Sequence, residues 1–381
     1  MGRVKMRAKQ VLITGADGYL GMRLARRYLE ATGDALALWV RSGDANEFHA
    51  KRESLVRQID DHEDRVNYYW GDLVNENPFD SLDPTDINSV IHSAAVTRFN
   101  VDEPTAREVN TEGTEKLLRF AVKCPSLEAF GLLSTVYASG LKAGAVDEAP
   151  LDGGSGFANH YERSKWLSEN TLLTDYDHLP WRILRVATVI ADSDDGRVSQ
   201  YNAFHNTLKL FYYGLLSLIP GRPETPVYFV TGEFAAGAIF ELMESSQSKA
   251  IYHVAHTEAE CLTLGGLIDL AFETFELESD FRSRRILQPL FSDAESFDLL
   301  VAGISAFGGG IVNQAVSSVA PFGKQLFIHK QIRNHNLVAA LEDYRAPDAR
   351  KLIRNTCEYL VRTRWGKHAD GAGREAESPK V

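Results

Sequence analysis

The chain has 381 residues, 44% hydrophobic and 24% charged, which is ordinary for a soluble globular protein and enough for a sizeable core in one or two domains. Its formal net charge of −11 argues against nucleic-acid binding, which needs a basic surface. The three cysteines, Cys124, Cys261 and Cys357, are far apart and odd in number, so neither a disulfide framework nor a metal site is expected, and a reducing, cytoplasmic compartment is. The start, MGRVKMRAK, is basic without a long apolar stretch, so no signal peptide is expected. The uncharged run from Leu299 to Gly323 is rich in Gly, Ser, Asn and Gln; it suits a buried or groove-lining segment better than membrane contact.

Residues 1–9 read as a frayed tail. Val11-Leu-Ile-Thr14 reads as a short buried strand, followed by Gly15, Gly18 and Gly21 and then by a helix from Met22 to Ala31. Glycine reaches φ > 0 and lets a phosphate approach the backbone, and a helix start offers free N–H groups to it. A dinucleotide pyrophosphate is therefore expected over Gly15 to Leu20, with Thr14, Asp17, Gly18 and Tyr19 in the cradle. Leu36 to Val40 is the second strand, and Arg41 follows at the place where an acidic residue would select NAD and an arginine suits a 2′-phosphate. Asp34 precedes the strand and is badly placed for that role, so NADPH is expected. Asn46 to Ile59 alternates charge on a helical period, and Arg65 to Trp70 is the third strand. Asp72, beside Leu73, can accept from an adenine amino group and also cap the next turn, two compatible roles.

Ser89 to Ala95 is a strand that runs into the small residues Ser93, Ala94 and Ala95, against which a ribose and diphosphate can lie. His92 reads as a packed histidine, since no nucleophile sits near it in the sequence. A helix is expected from Val109 to about Lys123. Ala129 to Val136 is the fifth strand and ends in two hydroxyls, Ser134 and Thr135. Tyr161 and Lys165 lie four apart and share a helix face. A phenol ionises at about pH 10, and a nearby ammonium makes it a better acid or base at neutral pH. Trp181 to Ile190 is the sixth strand. The alternation of strands and helices gives an α/β, doubly wound parallel sheet of Rossmann type with a smaller, mostly α C-terminal part. Beyond Asp192 an aromatic-rich helix is expected from Phe204 to Leu218, then a proline-rich loop from Ile219 to Pro226 with no regular structure, a strand from Val227 to Val230, a helix from Phe234 to Glu244, a strand returning to the sheet from Ile251 to Ala255, and a helix from Thr263 to Phe275.

Assembled in order, Thr14-Gly-x-x-Gly-x-x-Gly21, Gly71-Asp72-Leu73, His92-Ser-Ala-Ala95, Asn110-x-x-Gly-Thr114, Ser134-Thr135 and Tyr161-x-x-x-Lys165 resemble the extended short-chain dehydrogenase/reductase family over residues 10 to 190. Val40-Arg41, Leu132-Leu-Ser-Thr-Val-Tyr137 and the run from Ile219-Pro-Gly to Ala236 are similar to its male-sterility-type branch of fatty acyl-CoA reductases and thioester-reductase domains. Phe327 to Gly366 is loosely similar to the C-terminal domain of the fatty acyl-CoA reductases. Val186 stands where the family has proline, and Thr231-Gly232-Glu233 replaces its Pro-Val-Asp.

The resemblance implies an NADP-dependent oxidoreductase that reduces an acyl-thioester carbonyl. Thr135, with Ser134 the alternative, binds the substrate oxygen; Tyr161 gives the proton; Lys165 binds the nicotinamide ribose and depresses the Tyr161 pKa; Asn110 holds a relay water; Val186 and Val189 lie against the nicotinamide. The implied division is a tail at 1–9, a cofactor domain at 10–192 with returning segments near 227–256, a substrate part at 193–226 and 257–367, and a disordered tail at 368–381. Phe204, Leu208, Phe211, Tyr212 and Tyr213 are expected in the substrate pocket, with 276–366 as a lid, an acyl-channel wall or a docking surface for an acyl carrier protein. A monomer or homodimer is expected. A ketone or alcohol oxidoreductase acting on a sterol, sugar nucleotide or polyketide-type intermediate is the same-fold alternative, and a non-catalytic NADP-binding regulator is the other.

Overall fold

The structure is a computed structural model that describes residues 9–59, 64–306 and 320–367. The two expected tails, apart from Lys9, and most of the uncharged run lie outside the described residues. Seven strands form one sheet: β1 (Gln10–Thr14), β2 (Ala35–Arg41), β3 (Val66–Gly71), β4 (Ser89–His92), β5 (Ala129–Thr135), β6 (Trp181–Val186) and β7 (Ala250–Val254). Their order is β7-β6-β5-β4-β1-β2-β3, and every neighbouring pair is parallel. The order reverses between β1 and β4, so a crevice opens at the carboxyl ends of those two strands.

The inner strands are buried along nearly their whole length and mostly apolar because both faces of the sheet are covered there, whereas the edge strand β3 is partly exposed. Alternate side chains enter opposite layers. Val11, Ile13, Leu36, Leu38 and Val40 join one core with α1 (Tyr19–Ala31) and, later in the chain, the helix Gly232–Glu244. Leu12, Ala37 and Trp39 join the other with Leu117 and Leu118 of the helix Gly113–Ala121 and Leu172 of the helix His160–Asp175. A third core lies outside the sheet. It is built by the helices Ala203–Tyr212, Leu264–Phe275 and Ala349–Arg362, whose apolar faces meet around Phe211, Leu270, Phe275 and Leu360. Between Leu264–Phe275 and Ala349–Arg362 the chain returns to the sheet side: Lys330–Ile332 pairs in parallel with Gly144–Val146, and Ile332 and Leu337 enter the α1 core. Among the described residues no helix is long and apolar enough to cross a membrane.

Several expected elements are corrected. The first helix starts at Tyr19, inside the glycine turn, not at Met22. The helix expected from Val109 begins at Glu103 and passes through a wide π turn at Ala106–Glu112 before Gly113–Ala121. The strand expected from Trp181 to Ile190 breaks at Ala187, whose N–H donates to Val254 O; Thr188–Ala191 then pairs with Phe229–Thr231. The aromatic-rich helix stops at Tyr212. The proline-rich stretch is not all loop: Leu218–Pro220 pairs with Leu290–Ser292, and Pro226–Val227 with Leu262–Thr263, each proline in a two-stranded edge where its missing donor is tolerated.

Candidate active site

The helices that carry site residues are α1, α2 (Ala45–Ile59), α3 (His160–Asp175), α4 (Ala203–Tyr212) and α5 (Leu264–Phe275). Gly15 has φ +66°, and a Cβ there would come within 2.8 Å of the Ala94 backbone; at Gly21 it would come within 2.2 Å of Gly15 O. The turn is thus pressed against β4 with no room for side chains. α1 begins at Gly18 with no side-chain cap and no acid in its first turn. Its first amides and the positive end of its dipole are left for an anion. Gly18, Tyr19, Leu20, Ser93 and Ala95 line a cavity of about 490 Å³, within the range of small-ligand sites. These residues fit a dinucleotide diphosphate. Thr14 Oγ1 accepts from Ala94 N at 3.3 Å and meets His92 Nδ1 at 2.8 Å. His92 Nε2 meets Thr114 Oγ1 at 3.0 Å. Burial and the Lys165 charge hold the His92 pKa down to about 3, so it is a neutral, packed histidine.

At the tip of β2, Arg41 points into solvent with its Nε 3.7 Å from Asp72 Oδ2. Asp72 Oδ1 also accepts from Val74 N at 3.2 Å, so it caps its turn. Lys51 of α2 reaches the same tip. Its ammonium donates to Arg41 O at 2.5 Å and pairs with Asp17 at 3.4 Å and Glu47 at 3.0 Å. Nothing in the charge alternation of α2 marked Lys51 as special, because its role depends on how α2 crosses β2. Leu73 is buried core against Gly113 and does not line the cavity.

α3 starts at Asn159, whose Oδ1 accepts from Glu162 N at 3.0 Å. Helical spacing then turns Tyr161 and Lys165 into the same cavity as Thr135 of β5. The Thr135 hydroxyl accepts from Tyr137 N at 3.3 Å and sits near enough to the Tyr161 phenol to draw its pKa down. Burial pushes the Tyr161 phenol well above its ordinary pKa, more than Thr135 draws it down. The Glu162 charge raises it further, and the expected depression by Lys165 is not among the effects that act on the phenol here. Burial also pushes Lys165 down to about 8, against the supporting charge of Glu169. Ser134 spends its hydroxyl on Glu169 at 2.5 Å. The Asn110 amide is fully engaged: it donates to Val96 O at 3.0 Å and Ser164 Oγ at 2.9 Å and accepts from Val96 N at 2.8 Å. Its carbonyl accepts from Thr114 and Ser168. Asn110 thus braces the π turn against α3 and lies outside the cavity. Val186 and Val189 line it.

The far wall is apolar and comes from the third core: Phe204, Leu208 and Phe211 of α4, and Leu264 and Leu267 of α5. Tyr212 and Tyr213, also expected there, turn away: Tyr212 packs on Phe275, Phe281 and Trp365, and Arg284 lies over both tyrosine rings. Three aromatics close the near side. Phe322 stacks on Phe99 at 5.1 Å and meets Tyr137 edge-on at 5.0 Å, and Phe99 lies 5.8 Å from Tyr161. Their convergence is a tertiary fact with no local sequence signal. The C-terminal segment that carries Phe322 is anchored to α3: Asn159 Nδ2 donates to Pro321 O at 3.4 Å and Gln325 Nε2 to Glu162 Oε2 at 2.9 Å, while Lys330 donates to Ser139 Oγ at 3.1 Å and to the Gly140 carbonyl.

Residues 13–239, more than half of the chain, match the family described as Male sterility protein. D-lysergyl-peptide-synthetase subunit 3 of Claviceps purpurea (strain 20.1) is 28% identical over 207 residues, 50% of this chain and 11% of that protein. Fatty acyl-CoA reductase 2, chloroplastic, of Arabidopsis thaliana is 27% identical over 171 residues, 39% of this chain and 28% of that protein. The matched region is thus less than a third of the length of these curated relatives. The terminal R domain from the myxalamid PKS-NRPS biosynthetic pathway shares the fold, with a TM-score of 0.75 at 18% identity, over 95% of this chain and 92% of that one. With an extended Rossmann sheet, a glycine turn at its switch point and the matched span running from β1 into the helix Gly232–Glu244, the chain belongs to the male-sterility family of extended short-chain dehydrogenase/reductases, NAD(P)-binding oxidoreductases.

Proposed function

We propose that this chain is an NADPH-dependent reductase of acyl thioesters, carried on CoA or on an acyl carrier protein. The observation that carries the reading is a single cavity joining the uncapped start of α1, the Thr135–Tyr161–Lys165 group and an apolar wall from α4 and α5. The peptide-synthetase and acyl-CoA reductase relatives support a thioester as the carbonyl. Residues 10–192 with 227–256 hold the dinucleotide, and residues 193–226 and 257–367 hold the acyl group. The cradle from Thr14 to Leu20 takes the diphosphate, Ser93 to Ala95 the ribose, and Val186 and Val189 the nicotinamide. Arg41 and Lys51 offer two cations at the tip of β2, which favours a 2′-phosphate, although Asp72 and Asp17 already claim part of that charge.

A reduced nicotinamide bound there supplies hydride to a carbonyl carbon. Thr135 and Tyr161 present two hydroxyls to the carbonyl oxygen, so charge developing on it is met in a buried site. Tyr161 gives its proton to that oxygen. Its raised pKa keeps the phenol protonated at neutral pH, and the charge developing on the carbonyl oxygen together with the Lys165 ammonium, which stabilises the phenolate left behind, drives the transfer. The product of a thioester is a hemithioacetal, which expels the thiol and leaves an aldehyde; a second round gives the alcohol. The protein is tested with NADPH and either acyl-CoAs or a ketone panel, following nicotinamide absorbance and free thiol. Thiol release with acyl-CoA is expected. Turnover of ketones alone overturns the reading.

A further inference from the structure

Next to the reactive group lies a buried ion pair that the chemistry above leaves unused. Glu169 follows Lys165 by four residues, one turn further along α3. Its carboxylate accepts from Arg185 Nε at 3.1 and 3.2 Å, from Arg185 Nη2 at 2.8 Å and from the Ser134 hydroxyl at 2.5 Å. The Arg185 side chain is 0% exposed and that of Glu169 2%. Arg185 Nη1 meets His253 Nε2 of β7 at 3.2 Å, and Nη2 also donates to Ala149 O at 3.0 Å. Three of the elements that meet here carry site residues. Ser134 directly precedes Thr135 on β5, Arg185 directly precedes Val186 on β6, and Glu169 shares its helix with Tyr161 and Lys165.

A buried ion pair is weak as a source of stability, because desolvation offsets much of the attraction and apolar residues of like volume often serve as well. What a forked arginine–carboxylate contact does supply is fixed geometry. It also supplies a charge close to Lys165, and Glu169 is the acid that supports the protonated lysine against burial. The other titratable groups around Lys165 do not do this. His92 of β4 is neutral, and Tyr161 on the same helix holds its proton. Arg185 of β6, behind Glu169, has the same sign as Lys165, and His253 of β7 is kept uncharged by burial and by Arg185.

We propose that Glu169, held by Arg185 and Ser134, is a positioning residue of the active site: it locks Thr135, Lys165 and Val186 into one frame and is the counter-charge of Lys165. The inference rests on the reading of Tyr161 and Lys165 as the reactive pair, and its first test needs no substrate. Lys165 is titrated by NMR in protein with 13C-labelled lysine, its signal assigned from a Lys165→Met variant. The wild-type midpoint is expected near 8. In Glu169→Gln it falls by roughly one pH unit or more, because only the Arg185 charge remains. The double variant Glu169→Gln/Arg185→Met removes both charges while keeping volume, and it serves if the single variant does not fold. Its midpoint also falls, by less.

With any carbonyl substrate that turns over, the alkaline limb of kcat moves down in step, while KM for NADPH changes little. A midpoint that stays near 8 in the double variant overturns the counter-charge. Ser134→Ala keeps the ion pair and releases β5 from it; kcat is expected to drop roughly tenfold in protein that stays fully folded at the assay temperature, in line with loss of a charge-assisted hydrogen bond. Unchanged kcat overturns the positioning role. A moved NMR midpoint in a protein that reduces no thioester leaves this inference standing and removes only the thioester reading.

Discussion

The cavity has two walls made in different ways. On the sheet side, Gly18, Ser93, Ala95, Thr135 and Lys165 present amides, hydroxyls and one ammonium. On the helical side, Leu208, Phe211, Leu264 and Leu267 present only hydrocarbon, and each is at most 5% exposed. The first wall is set by local backbone geometry: a turn, two strand ends and one helical spacing, each within a few residues of sequence. The second is set by the packing of α4 on α5 and of both on the helix Ala349–Arg362. On the proposed function the polar wall binds charge and hands over a proton while the apolar wall takes the chain attached to the carbonyl, so changes on one wall should leave the other wall's readout intact.

The largest separation comes from Tyr161→Phe. Removing the proton donor should lower kcat by about 10²–10⁴-fold, while NADPH affinity, measured by fluorescence titration, and the rank order of acyl lengths stay as they were. Arg41→Ala touches only the outer end of the polar wall. Loss of a charge-assisted contact of about 1.5–3 kcal/mol should weaken NADPH binding by about 10–100-fold and leave NADH binding nearly unchanged; equal loss for both cofactors would remove the 2′-phosphate assignment.

The two walls were not equally legible. The glycine turn, the Ser134–Thr135 strand end and the Tyr161–Lys165 face could be read directly, because glycine requirements and helical periodicity are local. So could the sheet, since its central strands β1, β2 and β5 are mostly apolar runs. Ser134 and Asn110 were legible as residues but not as partners. One is held by Glu169, 35 positions away, the other by Val96 and Ser164. Phe322 and Lys51 reach the site by chain crossing alone. Among the aromatic and apolar residues of the α4 stretch, Phe204, Leu208 and Phe211 face the cavity and Tyr212 and Tyr213 do not; periodicity could group them, but only the position of α5 decides which face is inside.

Smaller effects probe the apolar wall and its anchor. Phe211→Leu should shift the preferred acyl length upward with a few-fold change in kcat/KM at the extremes, because the ring is backed by Phe272 at 6.2 Å and the smaller side chain leaves space facing the cavity. KM for NADPH should not move, and an unaltered length profile would mean that the acyl chain lies elsewhere. Glu162, on the anchor of the Phe322 segment, is pushed up to about 7 by burial. Its folded pKa lies above the ordinary carboxylate value, so its contribution is full below about pH 4.5 and is lost as pH rises through 7. Thermal melts of the wild type should lose stability from pH 5 to pH 8, by at most about 3 kcal/mol from this group, and Glu162→Gln should flatten that slope.

The most direct measurement follows the hydride itself. The protein is mixed with NADPH carrying two deuterons at nicotinamide C4 and with a medium-chain acyl-CoA, and the products are read by mass spectrometry together with a thiol assay. One deuterium on the aldehyde carbon for each CoA thiol released is the predicted result, with two deuterons on the alcohol carbon if a second reduction follows. Free thiol without deuterium in the product, or oxidation of NADPH without thiol, would contradict the account.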